Sequence, residues 1–77
     1  MRIYGSMRCP DCVECCKDLD AAGTQYEFLD FDNDLKSLKE FLLLRDTEPV
    51  FDEVKREGKI GIPCIVNPDG TVRLTWK

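Results

Sequence analysis

The chain has 77 residues, with eleven basic and fifteen acidic side chains and a net charge of −4. This length fits a single domain over residues 1–77, and the apolar fraction of 43% is enough for a core and too high for a disordered chain. Because phosphate recognition needs clustered Lys and Arg, nucleic acid is excluded as the main partner. The chain has no histidine, which excludes Cys-His and Ser-His-Asp hydrolases and Cys₂His₂ zinc fingers.

Five cysteines are present, and four of them lie between positions 9 and 16. A disulfide scaffold spreads its cysteines along the chain, whereas a cluster at one end indicates redox or metal chemistry in a reducing compartment. The first residues contain no secretory signal, and no segment approaches the roughly 20 apolar residues of a membrane span. We therefore expect a cytoplasmic protein with no membrane partner.

The N-terminal part of the chain predicts a strand followed by a helix. Residues 2–6 form a short apolar run, and Cys9 then takes the N-cap position. Pro10 fits the first helical turn, and the helix is expected to reach Ala22 and to stop at Gly23. Helical spacing predicts an inward face made of Cys12, Cys16 and Leu19, which Val13 and Ala22 widen.

The middle of the chain predicts a strand and two helices. Residues 25–31 alternate apolar and polar side chains, as in a strand. Asn33 and Asp34 are good caps for a second helix through about Arg45, and Pro49 opens a short third helix. The apolar residues that we expect these two helices to turn toward the core are Leu35, Leu38, Phe41, Leu42, Leu43, Leu44, Val50, Phe51 and Val54.

The last third of the chain predicts a β-hairpin. Residues 60–66 form an apolar run that Gly61 and Pro63 interrupt. The Asn-Pro-Asp-Gly sequence at 67–70 is a strong turn signal, and residues 71–76 follow it as the last strand. The predicted order is β-α-β-α-α-β-β, an α/β layered sandwich on one sheet.

The Cys-Pro-Asp-Cys motif at 9–12 lies where the first strand passes into the first helix. The unpaired N–H groups of a helix start favour a thiolate, which is the attacking species in disulfide exchange. We therefore predict Cys9 as the nucleophile and Cys12 as the resolving thiol that attacks the mixed disulfide. Arg8 favours the Cys9 thiolate, and Asp11 opposes it.

Pro63 is unusual because proline removes a hydrogen bond from a strand ladder. Two interpretations stay open from the residues alone. The Ile62–Pro63 bond is either cis, which would leave the Ile62 backbone free to pair with an extended substrate, or Pro63 is an ordinary edge-strand proline.

With the first strand, the Cys9–Cys12 motif and Ile62–Pro63, nearly the whole chain resembles the glutaredoxin branch of the thioredoxin superfamily, and most of all the small glutaredoxin-related proteins. The resemblance implies a thioredoxin-like sandwich with about three helices and a four-stranded mixed sheet in the order 2-1-3-4. It implies a glutaredoxin-like disulfide oxidoreductase with a cis Pro63. The substrate-binding residues that it implies are Arg8, Pro10, Asp11, Ile62 and Pro63.

The resemblance also implies the partners. The substrate would be a disulfide-containing protein or a small-molecule thiol, with glutathione or thioredoxin as reductant and no resident cofactor. Two departures leave glutathione dependence open. Asp11 stands where glutaredoxins commonly carry an aromatic residue. The sequence stops at Lys77, so the Gly-Gly turn and the usual C-terminal helix that bind the glutathione carboxylate are expected to be lacking.

The main alternative is a metal-thiolate protein that binds copper, zinc or a bridged iron–sulfur cluster. Met7, Cys9 and Cys12 match the Met-x-Cys-x-x-Cys motif of copper chaperones, and Cys15 and Cys16 add soft ligands. Copper chaperones, however, order their elements β-α-β-β-α-β, and the order predicted here differs. A non-catalytic binding module is the third interpretation, which the intact dithiol motif disfavours.

The remaining singled-out residues have structural interpretations. Cys16 and Cys64 are expected to pack in the core, because free cysteine behaves as a small hydrophobic side chain. Cys15 lies one position off the inward face of its helix and is expected to be partly exposed. Tyr4 is expected to be structural, and Trp76 is expected to cover a face of the sheet.

Overall fold

The computed structural model describes residues 1–76. The elements follow the predicted order, with a 3₁₀ turn placed before the third helix. They are β1 (Arg2–Gly5), α1 (Pro10–Ala21), β2 (Glu27–Asp30), α2 (Leu35–Thr47), the 3₁₀ turn (Pro49–Phe51), α3 (Asp52–Arg56), β3 (Cys64–Val66) and β4 (Val72–Arg73).

The four strands form one mixed sheet in the order β2-β1-β3-β4, which confirms the expected 2-1-3-4 arrangement. Strand β1 runs parallel to β2 and antiparallel to β3, and β3 and β4 form the predicted antiparallel hairpin. At the middle of the sheet, Tyr4 pairs with Leu29 on one side and with Cys64 on the other. The loop after β1 therefore leaves from an interior strand of the sheet.

Each face of the sheet has its own apolar cluster, because successive strand residues point to opposite faces. Ile3 and Ile65 pack with residues of α1, and Tyr4 and Cys64 pack with residues of α2 and the 3₁₀ turn. On the second face, the Phe41 ring lies 5.2 Å from that of Phe31 and meets Phe51 edge-on at 5.9 Å, both measured between ring centroids. The result is a sheet covered by helices on both sides.

Helix α1 begins as predicted, with Cys9 as N-cap in an extended conformation and its carbonyl accepting from the Val13 N–H at 3.1 Å. Its buried face differs from the prediction. The buried residues are Cys12, Cys15, Cys16 and Leu19, while Val13 and Ala22 are exposed. The expectation that Cys15 is partly exposed was wrong, because the stripe facing the sheet follows i, i+3, i+4, i+7 and includes it.

Helix α2 buries fewer leucines than predicted. Its sheet-facing stripe contains Ser37 and Phe41, with Leu44 partly buried. At about 100° per residue, Leu35 and Leu42 lie roughly 100–160° around the helix axis from Ser37 and Phe41. The prediction of these two residues as core was wrong, as it was for Leu43 and for Val50 in the following turn, since all four side chains are exposed. Phe51 is fully buried, as predicted.

Three strands are shorter than the apolar runs that predicted them. Residues 60–63 do not join β3, because the carbonyls of Lys59 and Ile60 accept hydrogen bonds from the Arg45 side chain at 2.8 and 2.9 Å. Gly61 has a φ of +92°, and a Cβ there would lie 2.8 Å from the ring of Phe51, so only glycine fits. Strand β4 ends at Arg73.

Trp76 follows β4 and packs against the α1-side cluster, as predicted. Its indole N–H donates to Asp18 Oδ2 at 2.8 Å, which ties the end of the described chain to α1. The longest helix, α2, has 13 residues, and within residues 1–76 no helix has the length and apolar character needed to cross a membrane.

Within the 3₁₀ turn, Phe51 should contribute more to the free energy of unfolding than Val50 does. We expect Phe51→Ala to lower the free energy of unfolding by about 3–5 kcal/mol, because it removes a fully buried ring. Val50→Ala is the matched control, since this neighbouring side chain is exposed, and it should cost less than about 0.5 kcal/mol. Urea unfolding followed by Trp76 fluorescence measures both, and equal losses would contradict the packing described here.

Candidate active site

Ser6 connects the end of β1 to the cysteine motif. Its carbonyl accepts from the Cys9 N–H at 3.1 Å, and its hydroxyl accepts from the Arg8 N–H at 3.0 Å. The same hydroxyl donates to the carboxylate of Asp32, which follows β2. Ser6 is itself buried, so this turn holds Cys9 in place at the start of α1.

The two cysteines of the motif differ in exposure. Cys9 is partly exposed and Cys12 is fully buried. The Cys12 sulfur lies against β1, where a Cβ on Gly5 would approach it to 2.7 Å. Glycine at that position is therefore what allows the second sulfur to sit behind the first, under the end of the strand.

The buried position of Cys12 controls its protonation. Burial raises the pKa of the Cys12 thiol to about 12. A hydrogen bond from the Ser6 backbone to the sulfur opposes this rise in pKa, and a hydrogen bond with the Cys9 side chain adds to it. The two sulfurs thus lie within hydrogen-bonding reach, with the outer thiol open to solvent and the inner one protonated at neutral pH.

A groove of about 670 Å³ opens beside Cys9. It brings together the predicted residues Arg8, Cys9, Asp11 and Ile62. It also contains residues that sequence reasoning missed, which are Ser6, Phe31, Asp32, Val54, Lys59, Ile60 and Leu74. A volume of this size is within the usual range for binding sites of small molecules and peptide segments.

The other two predicted substrate-binding residues do not line this groove. The Ile62–Pro63 peptide bond is cis, as the resemblance implied, and Pro63 itself is buried beneath the site. Pro10 is exposed in a separate depression, which it shares with Met7, Val13 and the charged residues Arg8, Glu14, Lys17 and Asp18.

Cys15 and Cys64 belong to the core. Burial raises the pKa of Cys15 to about 11 and that of Cys64 to about 12, so both stay protonated at neutral pH. Cys16 is also buried on α1, as predicted. Within residues 1–76, no three Cys, Asp or Glu side chains converge as metal ligands, so Cys9, Cys12, Cys15 and Cys16 are not assembled into a metal-binding group in this structure.

The charges around Cys9 are nearly balanced. Arg8 and Lys59 line the groove together with Asp11 and Asp32. The Arg8 Nε lies 3.9 Å from Asp32 Oδ2, but the Arg8 side chain is 90% exposed, so this ion pair contributes little to stability. Arg8 nevertheless lines the same groove as Cys9, without being fixed there.

Ser6 and Asp32 were detectable in principle. Each directly follows a strand or its adjoining turn, and β1 and β2 are parallel neighbours. Carboxyl ends of parallel strands meet at one edge of a sheet, where sites commonly form. Ile60 and Leu74 carried no such signal, because their positions depend on how residues 58–62 fold over the site.

No family model matches the chain, and no solved structure matches it. An uncharacterized protein of Haemophilus influenzae is 38% identical over 72 residues, which are 94% of this chain and 84% of that protein. The match includes most of the molecule described above.

If Cys12 is the resolving thiol that the sequence predicts, its high pKa makes the resolving step dependent on pH. A raised pKa leaves little thiolate at neutral pH, so resolution should accelerate as pH rises, by about tenfold per unit between roughly pH 6 and 9. Mixing the reduced protein with an aromatic disulfide of thionitrobenzoate should release this chromophore in two phases. The second phase reports resolution and should be missing in Cys12→Ser; a second phase that does not change with pH would contradict the burial argument.

The contact between Gly5 and Cys12 can be tested with a double-mutant cycle. Gly5→Ala should lower the free energy of unfolding by about 1–3 kcal/mol, because its Cβ overlaps the Cys12 sulfur. In a Cys12→Ala background the same change should cost much less, since the Cys12 Cβ is at an ordinary 3.5 Å. Equal costs in both backgrounds, measured by urea unfolding, would show that the sulfur does not occupy this position.

Proposed function

The chain belongs to one family with the Haemophilus influenzae protein, and we propose that it is a glutaredoxin-related thiol–disulfide oxidoreductase. Cys9 is the nucleophile and Cys12 the resolving thiol. The observation that carries the proposal is the arrangement of these two sulfurs, one partly exposed at the N-cap of α1 and the other buried behind it within hydrogen-bonding reach.

The fold supports the same assignment. A sheet in the order 2-1-3-4, a helix that starts at the motif directly after β1, and a cis Ile62–Pro63 bond are the features expected of a thioredoxin-like protein. The absence of matching family models leaves these geometric features as the support, together with the motif itself.

The reaction proceeds in two exchanges. The Cys9 thiolate attacks one sulfur of the substrate disulfide, forms a mixed disulfide and releases the other substrate sulfur, which takes up a proton. The Cys12 thiolate then attacks the Cys9 sulfur, and the substrate cysteine leaves as the second thiol. The substrate gains two electrons and the protein dithiol loses two, so the Cys9–Cys12 disulfide must be reduced again by a thiol such as glutathione or a protein dithiol.

The surrounding residues have distinct roles in this scheme. Cys9 lies at the N-terminal end of α1, where the helix dipole favours negative charge, and Arg8 adds a positive charge at the same groove. Ile62 lines the groove outside β3, and in this proposal its backbone pairs with an extended substrate. We place the reaction in the reducing cytoplasm, where free thiols persist.

Removal of each sulfur should have a different effect. We expect Cys9→Ser to reduce disulfide reductase activity at least roughly 1,000-fold, because it removes an essential covalent nucleophile. We expect Cys12→Ser to accumulate the mixed disulfide on Cys9, because no resolving thiol is left to release it. Turnover of a small disulfide with dithiothreitol as reductant, together with mass spectrometry of trapped adducts, measures both. Cys16→Ala is the matched control, because this cysteine of α1 packs outside the groove, and its activity should stay within about twofold of the unsubstituted protein.

Undiminished turnover in Cys9→Ser would contradict the assignment. Metal analysis of the anaerobically purified protein provides a second check. Stoichiometric copper or zinc that disappears in Cys9→Ser, without turnover of any disulfide, would instead support the metal-thiolate function.

A further inference from the structure

The wall of the groove beside Cys9 is mainly apolar. Phe31, Val54, Ile62 and Leu74 line it, and all four also pack against the cluster on the α2 face. Ile60 stands at its mouth with 58% of its surface exposed. A large aliphatic side chain held out beside a reactive sulfur gains stability when a ligand covers it.

The segment that carries Ile60 is held in place before any ligand binds. Arg45 donates from Nε to the Ile60 carbonyl at 2.9 Å and from Nη2 to the Lys59 carbonyl at 2.8 Å. The Lys59 N–H donates to the carbonyl of Val54 at 2.8 Å, and Gly61 lies against the Phe51 ring. The groove is therefore largely pre-organised, which limits the entropy lost on binding.

The charges of the groove do not suit an anionic ligand. Its two cations, Arg8 and Lys59, are matched by Asp11 and Asp32. Lys59 is also paired with Glu57 at 2.9 Å, and the whole chain has a net charge of −4. Glutathione disulfide carries an excess of carboxylates over amines, so it meets no uncompensated positive charge here. A neutral or basic polypeptide needs no uncompensated positive charge in order to bind.

We infer from these features that the groove recognises a polypeptide disulfide with an aliphatic or aromatic side chain next to the reacting cysteine, in preference to glutathione disulfide. This inference rests on the proposed function, since it names the substrate class of the same site. The neighbouring side chain packs between Ile60 and Leu74, while the cysteine sulfur faces Cys9.

The test compares three disulfides at the same concentration. Two are homodimers of a capped four-residue peptide, Gly-Cys-Leu-Gly and Gly-Cys-Ser-Gly, and the third is glutathione disulfide. With dithiothreitol as the common reductant, we expect kcat/KM for the leucine peptide to exceed that for the serine peptide by roughly tenfold, the effect of burying one aliphatic side chain. Glutathione disulfide should react no faster than the serine peptide.

Two variants connect the preference to the groove. Ile60→Ser should lower the ratio of kcat/KM for the leucine peptide to kcat/KM for the serine peptide at least about threefold, because it removes one of the apolar side chains that would contact the leucine. Leu43→Ser should leave that ratio unchanged, because this leucine is similarly exposed, at 66%, but lies on α2 outside the groove. Circular dichroism confirms that both variants are folded.

The outcomes separate this inference from the proposed function. Equal rates for the two peptides, or faster reduction of glutathione disulfide, overturn the substrate preference and leave the oxidoreductase function standing. Reduction of none of the three disulfides overturns the oxidoreductase function and the preference with it. A leucine preference that persists in Ile60→Ser overturns the location of the binding surface.

Discussion

The contact between the Cys12 sulfur and the backbone of Gly5 is the constraint on which the site depends. It brings α1 directly onto the central strand, so the first turn of the helix must begin just beyond the end of β1. Cys9 is then left at the helix start, partly open to solvent and fixed through its N–H to the Ser6 carbonyl. One buried sulfur thereby determines where the exposed one lies.

The burial of Cys12 has opposite effects on the two steps of the proposed exchange. It keeps the inner thiol protonated at neutral pH, so this thiol does not compete with Cys9 for substrate. The same burial slows the resolving step, and the hydrogen bond from the Ser6 backbone partly offsets this penalty. Ser6 thus contacts both cysteines through its backbone while its side chain anchors the turn to Asp32.

In the proposed scheme, the groove beside Cys9 binds the substrate. Its far wall comes from the segment between α3 and β3, which Arg45 holds by two carbonyl oxygens. The α2 helix therefore supports one wall of the groove through Arg45, although it contributes no residue to the proposed reaction. The exposed leucines on the opposite side of α2 take no part in this packing.

The order of elements, the sheet arrangement implied by the resemblance, and the positions of Cys9 and Cys12 could all be predicted from the sequence. These depend on local signals, namely a strand, a proline after an N-cap cysteine and a strong turn at 67–70. The sequence did not determine which leucines of α2 are buried, because an apolar residue shows no preferred face until the helix packs on a sheet. The burial of Cys15 was missed for the same reason.

The surroundings of Cys9 depend on the folded arrangement of distant segments. Asp32 and Ile60 are distant in sequence from the motif, and no local pattern connects them to it. They reach the site because β1 and β2 are parallel neighbours and because Arg45 holds residues 59–60 away from β3. The Cys-Pro-Asp-Cys motif is encoded within four consecutive residues, whereas the groove beside it forms from segments that meet only when the chain folds.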